Sequence, residues 1–112
     1  MPYPEDQVAE LKLLCPNASE VQEGGCTFLL LPDLHLPDGC SPARIDALLC
    51  PTSRDGYASR LFFAEKIQAK AERNWNATGV RIAERNWHAI SWKTNASLRL
   101  AQMVAAHLRA LQ

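Results

Sequence analysis

CTFLLLPDLHLPDG, Cys26 to Gly39, is the stretch on which the reading of this 112-residue chain turns. Its first six residues, Cys26 to Leu31, form an unbroken apolar run of the length that suits a buried strand. Gly24-Gly25 just before it is a tight-turn signal, because glycine accepts positive φ at no steric cost. A polar strand over Ser19 to Glu23 then precedes the turn. After Leu31 the prolines decide: Pro32, Pro37 and Pro42 lack an N–H for a ladder or a helix. Leu31 to Pro42 therefore reads as an ordered extended loop or a sheet edge.

Working outward, Pro4 to Leu14 reads as a short helix. Glu5 and Asp6 complement the positive end of the helix dipole, Val8, Leu11 and Leu14 fall near one face, and Pro16-Asn17 stops it. Ala43 to Cys50 alternates, with Ala43, Ile45, Ala47 and Leu49 against Arg44 and Asp46, which predicts a half-buried strand. PTSRDGY (Pro51 to Tyr57) is a turn and Leu61 to Phe63 a short strand. Ala64 to Arg73 favours helix, with Ala64, Ile67 and Ala71 on one stripe. Asn95 can cap a last helix whose Leu100, Val104, Leu108 and Leu111 form an apolar stripe. The expected architecture is α+β: one domain over residues 1–112, an antiparallel sheet of about four strands, and an N-terminal and a C-terminal helix packed on it.

Composition narrows the function. Twelve basic residues balance twelve acidic ones, so no large charged footprint exists for nucleic acid or an anionic membrane. No segment approaches the roughly 20 apolar residues of a membrane span, and MPYPEDQVAE lacks the basic and apolar regions of a signal peptide. A cytoplasmic location follows as the expectation, with Cys15, Cys26, Cys40 and Cys50 as free thiols. The sequons at Asn17, Asn76 and Asn95 are then coincidental. Cys26, His35, Cys40 and Cys50 lack the close pairing of zinc ligands, and no glycine-rich phosphate loop is present, so neither a metal nor a cofactor is expected.

The pentapeptide AERNW occurs at Ala71 to Trp75 and again at Ala83 to Trp87. On a continuous helix the copies would lie about 120° apart and share no stripe. Their flanks differ, so the doubling reads as accidental. Trp87 and Trp92 read as core anchors of the last helix. Trp75, among Arg73, Asn74 and Asn76, reads as an exposed aromatic contact for a protein partner.

Several segments together resemble the ubiquitin-conjugating-enzyme-like (UBC-like) superfamily, and within it a bacterial branch called prokaryotic family E. They are FLLLPDLHLPDG (Phe28 to Gly39), IDALLCP (Ile45 to Pro51), DGY (Asp55 to Tyr57) leading into LFF, and RNWHAISW (Arg85 to Trp92) before the final helix. The resemblance spans about residues 20 to 111. It implies a part in a bacterial ubiquitin-like conjugation pathway, with a ubiquitin-like β-grasp protein, an activating enzyme and a deconjugating metalloprotease as partners. It implies that the first helix, Glu5 to Leu14 with Glu10 and Lys12, faces the activating enzyme.

The same resemblance places a catalytic cysteine after the fourth strand, in the segment before the last helix. No cysteine follows Cys50, and the His-Pro-Asn triplet of the superfamily is absent. A noncatalytic binding component is therefore the leading expectation. The alternative is a carrier using another nucleophile. Cys40, in the proline-rich loop, is one candidate. Ser91 is the other: His88 lies three residues before it, shares its face if the segment is helical, and would serve as its general base.

Overall fold

The computed structural model describes residues 3–112. Its elements run α1 (Glu5–Leu14), β1 (Ser19–Glu23), β2 (Cys26–His35), β3 (Arg44–Cys50), β4 (Arg60–Phe63), β5 (Ala77–Ile82), β6 (Arg85–Ala89), α2 (Leu100–Leu108) and a closing 3-10 turn, Arg109–Leu111. The class is α+β, as the sequence implies. The sheet has six antiparallel strands rather than about four, in the order β1-β2-β3-β4-β6-β5.

The first four strands are a meander. Gly24 and Gly25 turn the chain at φ 60° and 78°, a conformation a side chain would strain, and bring Glu23 opposite Cys26. β2 does not stop at Leu31. It continues through Pro32 to His35 because the register shifts between Leu31 and Leu34, a bulge that spares Pro32 a ladder hydrogen bond. Proline thus marks an irregularity inside a strand here, where the sequence suggested the strand's end.

Strand alternation builds two apolar layers. Leu29, Leu31, Ile45, Ala47, Leu49, Leu61 and Phe63 face the helices, where they meet Val8 and Leu11 of α1, Leu100 and Val104 of α2, and Leu111. The opposite face carries Phe28, Leu48, Cys50 and Phe62. β3 is therefore covered on both sides along its second half, not half-buried. The cover on this second face is the β5–β6 hairpin, which contributes Ile82, Trp87 and Ala89. The hairpin joins the meander through one residue pair, Phe63 with His88, and curls over it. The Ala83 N–H at its tip donates to Glu23 Oε1 at 2.9 Å, and Arg85 pairs with Asp46 at 3.2 Å.

Ala64 to Arg73 is irregular, not helical; its one ladder contact is an isolated bridge between Gln68 and Ser41. Most of its side chains are exposed, so helix propensity lacks an apolar face to bury. The last helix starts at Leu100, five residues beyond Asn95. Its first turn is closed instead by the Gln102 side chain, which accepts from the Arg99 N–H at 2.9 Å. Arg99 also ties the helices together, donating to Glu10 at 2.8 Å and Asp6 at 2.6 Å on α1.

Candidate functional site

A polar cluster lies where the β3–β4 turn meets the two ends of the hairpin segment. Asp55-Gly56 makes a two-residue turn with φ 53° and 86°, and Arg54 and Tyr57 exchange both backbone hydrogen bonds across it at 2.9 Å. That turn fixes Tyr57. Its phenol oxygen accepts from Asn76 Nδ2 at 2.8 Å and lies 3.0 Å from Ser91 Oγ. Ser91 is held in turn by its own N–H, which donates to the Asn74 carbonyl at 2.7 Å.

Beneath the phenol lies Arg60, the first residue of β4, with 3% of its surface exposed. Its guanidinium stacks 4.3 Å from the Tyr57 ring centre. It also donates to Asn76 Oδ1 at 2.6 Å and to the Ile90 carbonyl at 3.1 Å. The hydrogen bond from Ser91 holds the Tyr57 phenol below its ordinary value, with Asn76 and the charges of Arg60 and Lys93 adding to the effect and desolvation opposing it. A hydroxyl beside an acidified phenol is a proton-transfer pair; the same groups also offer a partner a rigid set of hydrogen bonds.

The helical spacing that would join His88 to Ser91 does not exist. Arg85–Ala89 is a strand, and His88 Nδ1 accepts from the Gly79 N–H at 3.1 Å across the hairpin. Tyr57 occupies the place the sequence assigned to His88. Cys40 is no better prepared. Its thiol donates to the Leu111 carbonyl at 3.6 Å, and burial raises its pKa, which Lys70 only partly offsets. Cys15 and Cys50 are buried and Cys26 half-buried on β2. Among the described residues, no group of three or more His, Cys, Asp or Glu side chains gathers to hold a metal.

The other sequence-derived positions scatter. Glu10 is engaged by Arg99, while Lys12 projects from α1 beside Leu13, which is 86% exposed. Trp75 is half-buried rather than exposed. It meets Phe63 edge to face at 6.1 Å and lines a groove of about 430 Å³ with Ile67, Arg73 and Leu111. Trp87 is fully buried, but beneath the β5–β6 hairpin on the face away from α2, so it does not anchor the last helix. Trp92 is half-buried, and its indole N–H donates to the Ala106 carbonyl of α2 at 3.0 Å.

Two groups escaped the sequence reading. Arg60 begins an apolar strand, and nothing local marks its guanidinium as the floor of a site. His107 occupies the buried stripe of α2 and lies 3.0 Å from Ser59 Oγ, which also meets Thr94 Oγ1 at 3.0 Å. Its i+3 spacing from Val104 was the available signal. Compared with known protein families, curated proteins and solved structures, the chain matches none of them.

Proposed function

We propose that this chain is a UBC-like docking component of a bacterial ubiquitin-like conjugation pathway, one that holds a ubiquitin-like β-grasp protein or its activating enzyme without carrying the modifier on a thiol. The observation that carries this reading is the placement of sulfur. The segment from β4 to α2, where the resemblance puts the nucleophile, contains no cysteine, and the loop thiol Cys40 is turned to the Leu111 carbonyl with its ionisation suppressed. The order of α1, the β1–β4 meander and α2 supports the reading, with the β5–β6 hairpin as an addition to the expected four strands. Leu13 and Leu14, exposed beside Lys12 at the end of α1, supply apolar surface that a partner could cover.

The test mixes the purified chain with the β-grasp protein and the activating enzyme, with and without ATP. A complex by calorimetry and no covalent adduct on the chain is the expected result. No binding up to about 100 μM would discard the reading.

The Ser91–Tyr57 contact favours a second reading, an oxyester carrier. Ser91 Oγ would attack the carbonyl carbon of the thioester that joins the modifier to the activating enzyme. A C–O bond forms, the C–S bond breaks, and the cysteine leaves as thiolate. Tyr57 in its phenolate form, which the Ser91 and Asn76 hydrogen bonds favour, would take the serine proton and pass it to that thiolate. An adduct that resists thiol reductant, yields to hydroxylamine and vanishes in Ser91→Ala would select this reading over the first.

A further inference from the structure

The chain is neutral as a whole, but its charge is not evenly spread. From Arg85 to Gln112 it contains Arg85, Lys93, Arg99 and Arg109 and not one Asp or Glu. The fold neutralises two of these four. Arg85 is paired with Asp46, and Arg99 with Asp6 and Glu10. Lys93 and Arg109 make no ion pair among the described residues, and both line one groove of about 380 Å³ between the 92–98 loop and α2. Trp92, Leu98, Ala105 and Ala106 supply its apolar surface, and no carboxylate lines it.

The groove is built rather than incidental. The Trp92 indole N–H donates to the Ala106 carbonyl at 3.0 Å, which fixes one wall to the helix. Arg73 stands 5.5 Å from the Trp92 ring, adding a third positive charge beside it. Thr94 is fixed to the interior through Ser59, which in turn meets His107 on α2. An exposed loop with this many anchors does not have to be ordered by a ligand, so binding avoids that entropic cost.

We infer that the groove between the 92–98 loop and α2 is a docking site for a short acidic peptide segment of a protein partner, with an apolar residue against Trp92 and Leu98 and carboxylates on Lys93 and Arg109. Charge complementarity selects this occupant. Two flanking cations around an apolar floor suit a peptide with spaced carboxylates. A nucleic acid would need a longer basic track than this groove has. The inference does not depend on the conjugation pathway, since it concerns the isolated chain and its test uses synthetic ligands.

The experiment titrates the ¹⁵N-labelled chain with a short synthetic peptide whose Leu-Phe centre is flanked by Asp and Glu. The assigned Trp92 indole N–H should shift, and the affinity should fall as salt rises. The double substitution K93E/R109E, at two exposed positions, should keep the dispersed spectrum of the fold. It should weaken the acidic peptide about tenfold or more and favour a matched peptide flanked by Lys. No shift at the Trp92 indole up to about 1 mM peptide, equal affinity in the charge-reversed variant, or tighter binding of a single-stranded oligonucleotide would each overturn the inference.

Discussion

Ser59 Oγ and His107 Nε2 lie 3.0 Å apart in the interior, joining the approach to β4 to the last turn of α2. Burial, reinforced by the charge of Arg60, brings the His107 pKa from 6.5 down to about 4. The imidazole is therefore neutral in the folded chain and protonates in the unfolded one below pH 6.5. Its contribution is fully present above that value and is lost as pH falls from about 6.5 to about 4, by at most about 3 kcal/mol. Urea midpoints measured at pH 7.5 and 5 should differ accordingly, and His107→Gln should flatten that dependence. An equal slope in the variant would assign the effect to other groups.

The two AERNW copies offer a sharper test of context. In the second copy Ala83 and Glu84 form the β5–β6 turn with φ 52° and 64°, a left-handed conformation that glycine favours. In the first copy Ala71 and Glu72 lie in the irregular segment without positive φ. The same substitution should then act with opposite signs. Glu84→Gly should stabilise by about 0.5–1 kcal/mol, and Glu72→Gly should destabilise by a few tenths through the greater freedom of the unfolded chain. Chemical denaturation of both variants decides it.

That pair also shows where the sequence was legible. Ser19–Glu23, the Gly24-Gly25 turn, the apolar run from Cys26 and the Ile45, Ala47, Leu49 alternation all carry local instructions that the structure follows. The β5–β6 hairpin carries almost none: its turn is Ala-Glu rather than Asn-Gly, and ATGVRI has a glycine in the strand. Long-range burial of Trp87 and Ile82 over Phe28, Leu48 and Phe62 holds it, and no window of sequence displays that contact. The site divides the same way. Ser91 and Asp55-Gly56-Tyr57 were visible as residues, but their meeting depends on Asn76 and Arg60, which the curled sheet brings from elsewhere.

Trp87 should be the costliest tryptophan to lose. It is fully buried, and its indole N–H donates to the Ile82 carbonyl at 3.0 Å, so truncation opens a cavity and strands a carbonyl. Trp87→Ala should cost about 3–5 kcal/mol, whereas Trp75→Ala, at a half-buried position, should cost about 1–2 kcal/mol. Thermal or urea unfolding of the two variants gives the ranking, and a larger loss at Trp75 would refute the two-layer core.

The chain has only two tyrosines, and the structure drives them apart. Tyr57 titrates below the ordinary value of 10, chiefly through Ser91. Tyr3, whose phenol donates to the Thr27 carbonyl at 2.7 Å, is pushed up to about 12, chiefly by burial. Absorbance at the phenolate band should therefore rise in two resolved steps of equal size. Tyr57→Phe should delete the earlier step, and Ser91→Ala should move it upward. A single step near 10 would mean that the Tyr57–Ser91–Asn76 cluster does not form in solution.

Thiol chemistry provides the last test, because the docking proposal requires that no cysteine here behave as an activated nucleophile. Cys15 donates to the Pro32 carbonyl at 3.2 Å beneath α1, and burial raises its pKa; Cys50 is buried between β3 and the hairpin. Neither should react with iodoacetamide until the chain unfolds. Cys40 is partly accessible, but its raised pKa leaves little thiolate at neutral pH, so it should alkylate more slowly than free cysteine and speed up as pH rises. Mass spectrometry of the native chain at pH 7.5 can follow each site separately. Rapid modification of Cys40 at that pH would contradict the suppressed thiol and restore it as a carrier candidate.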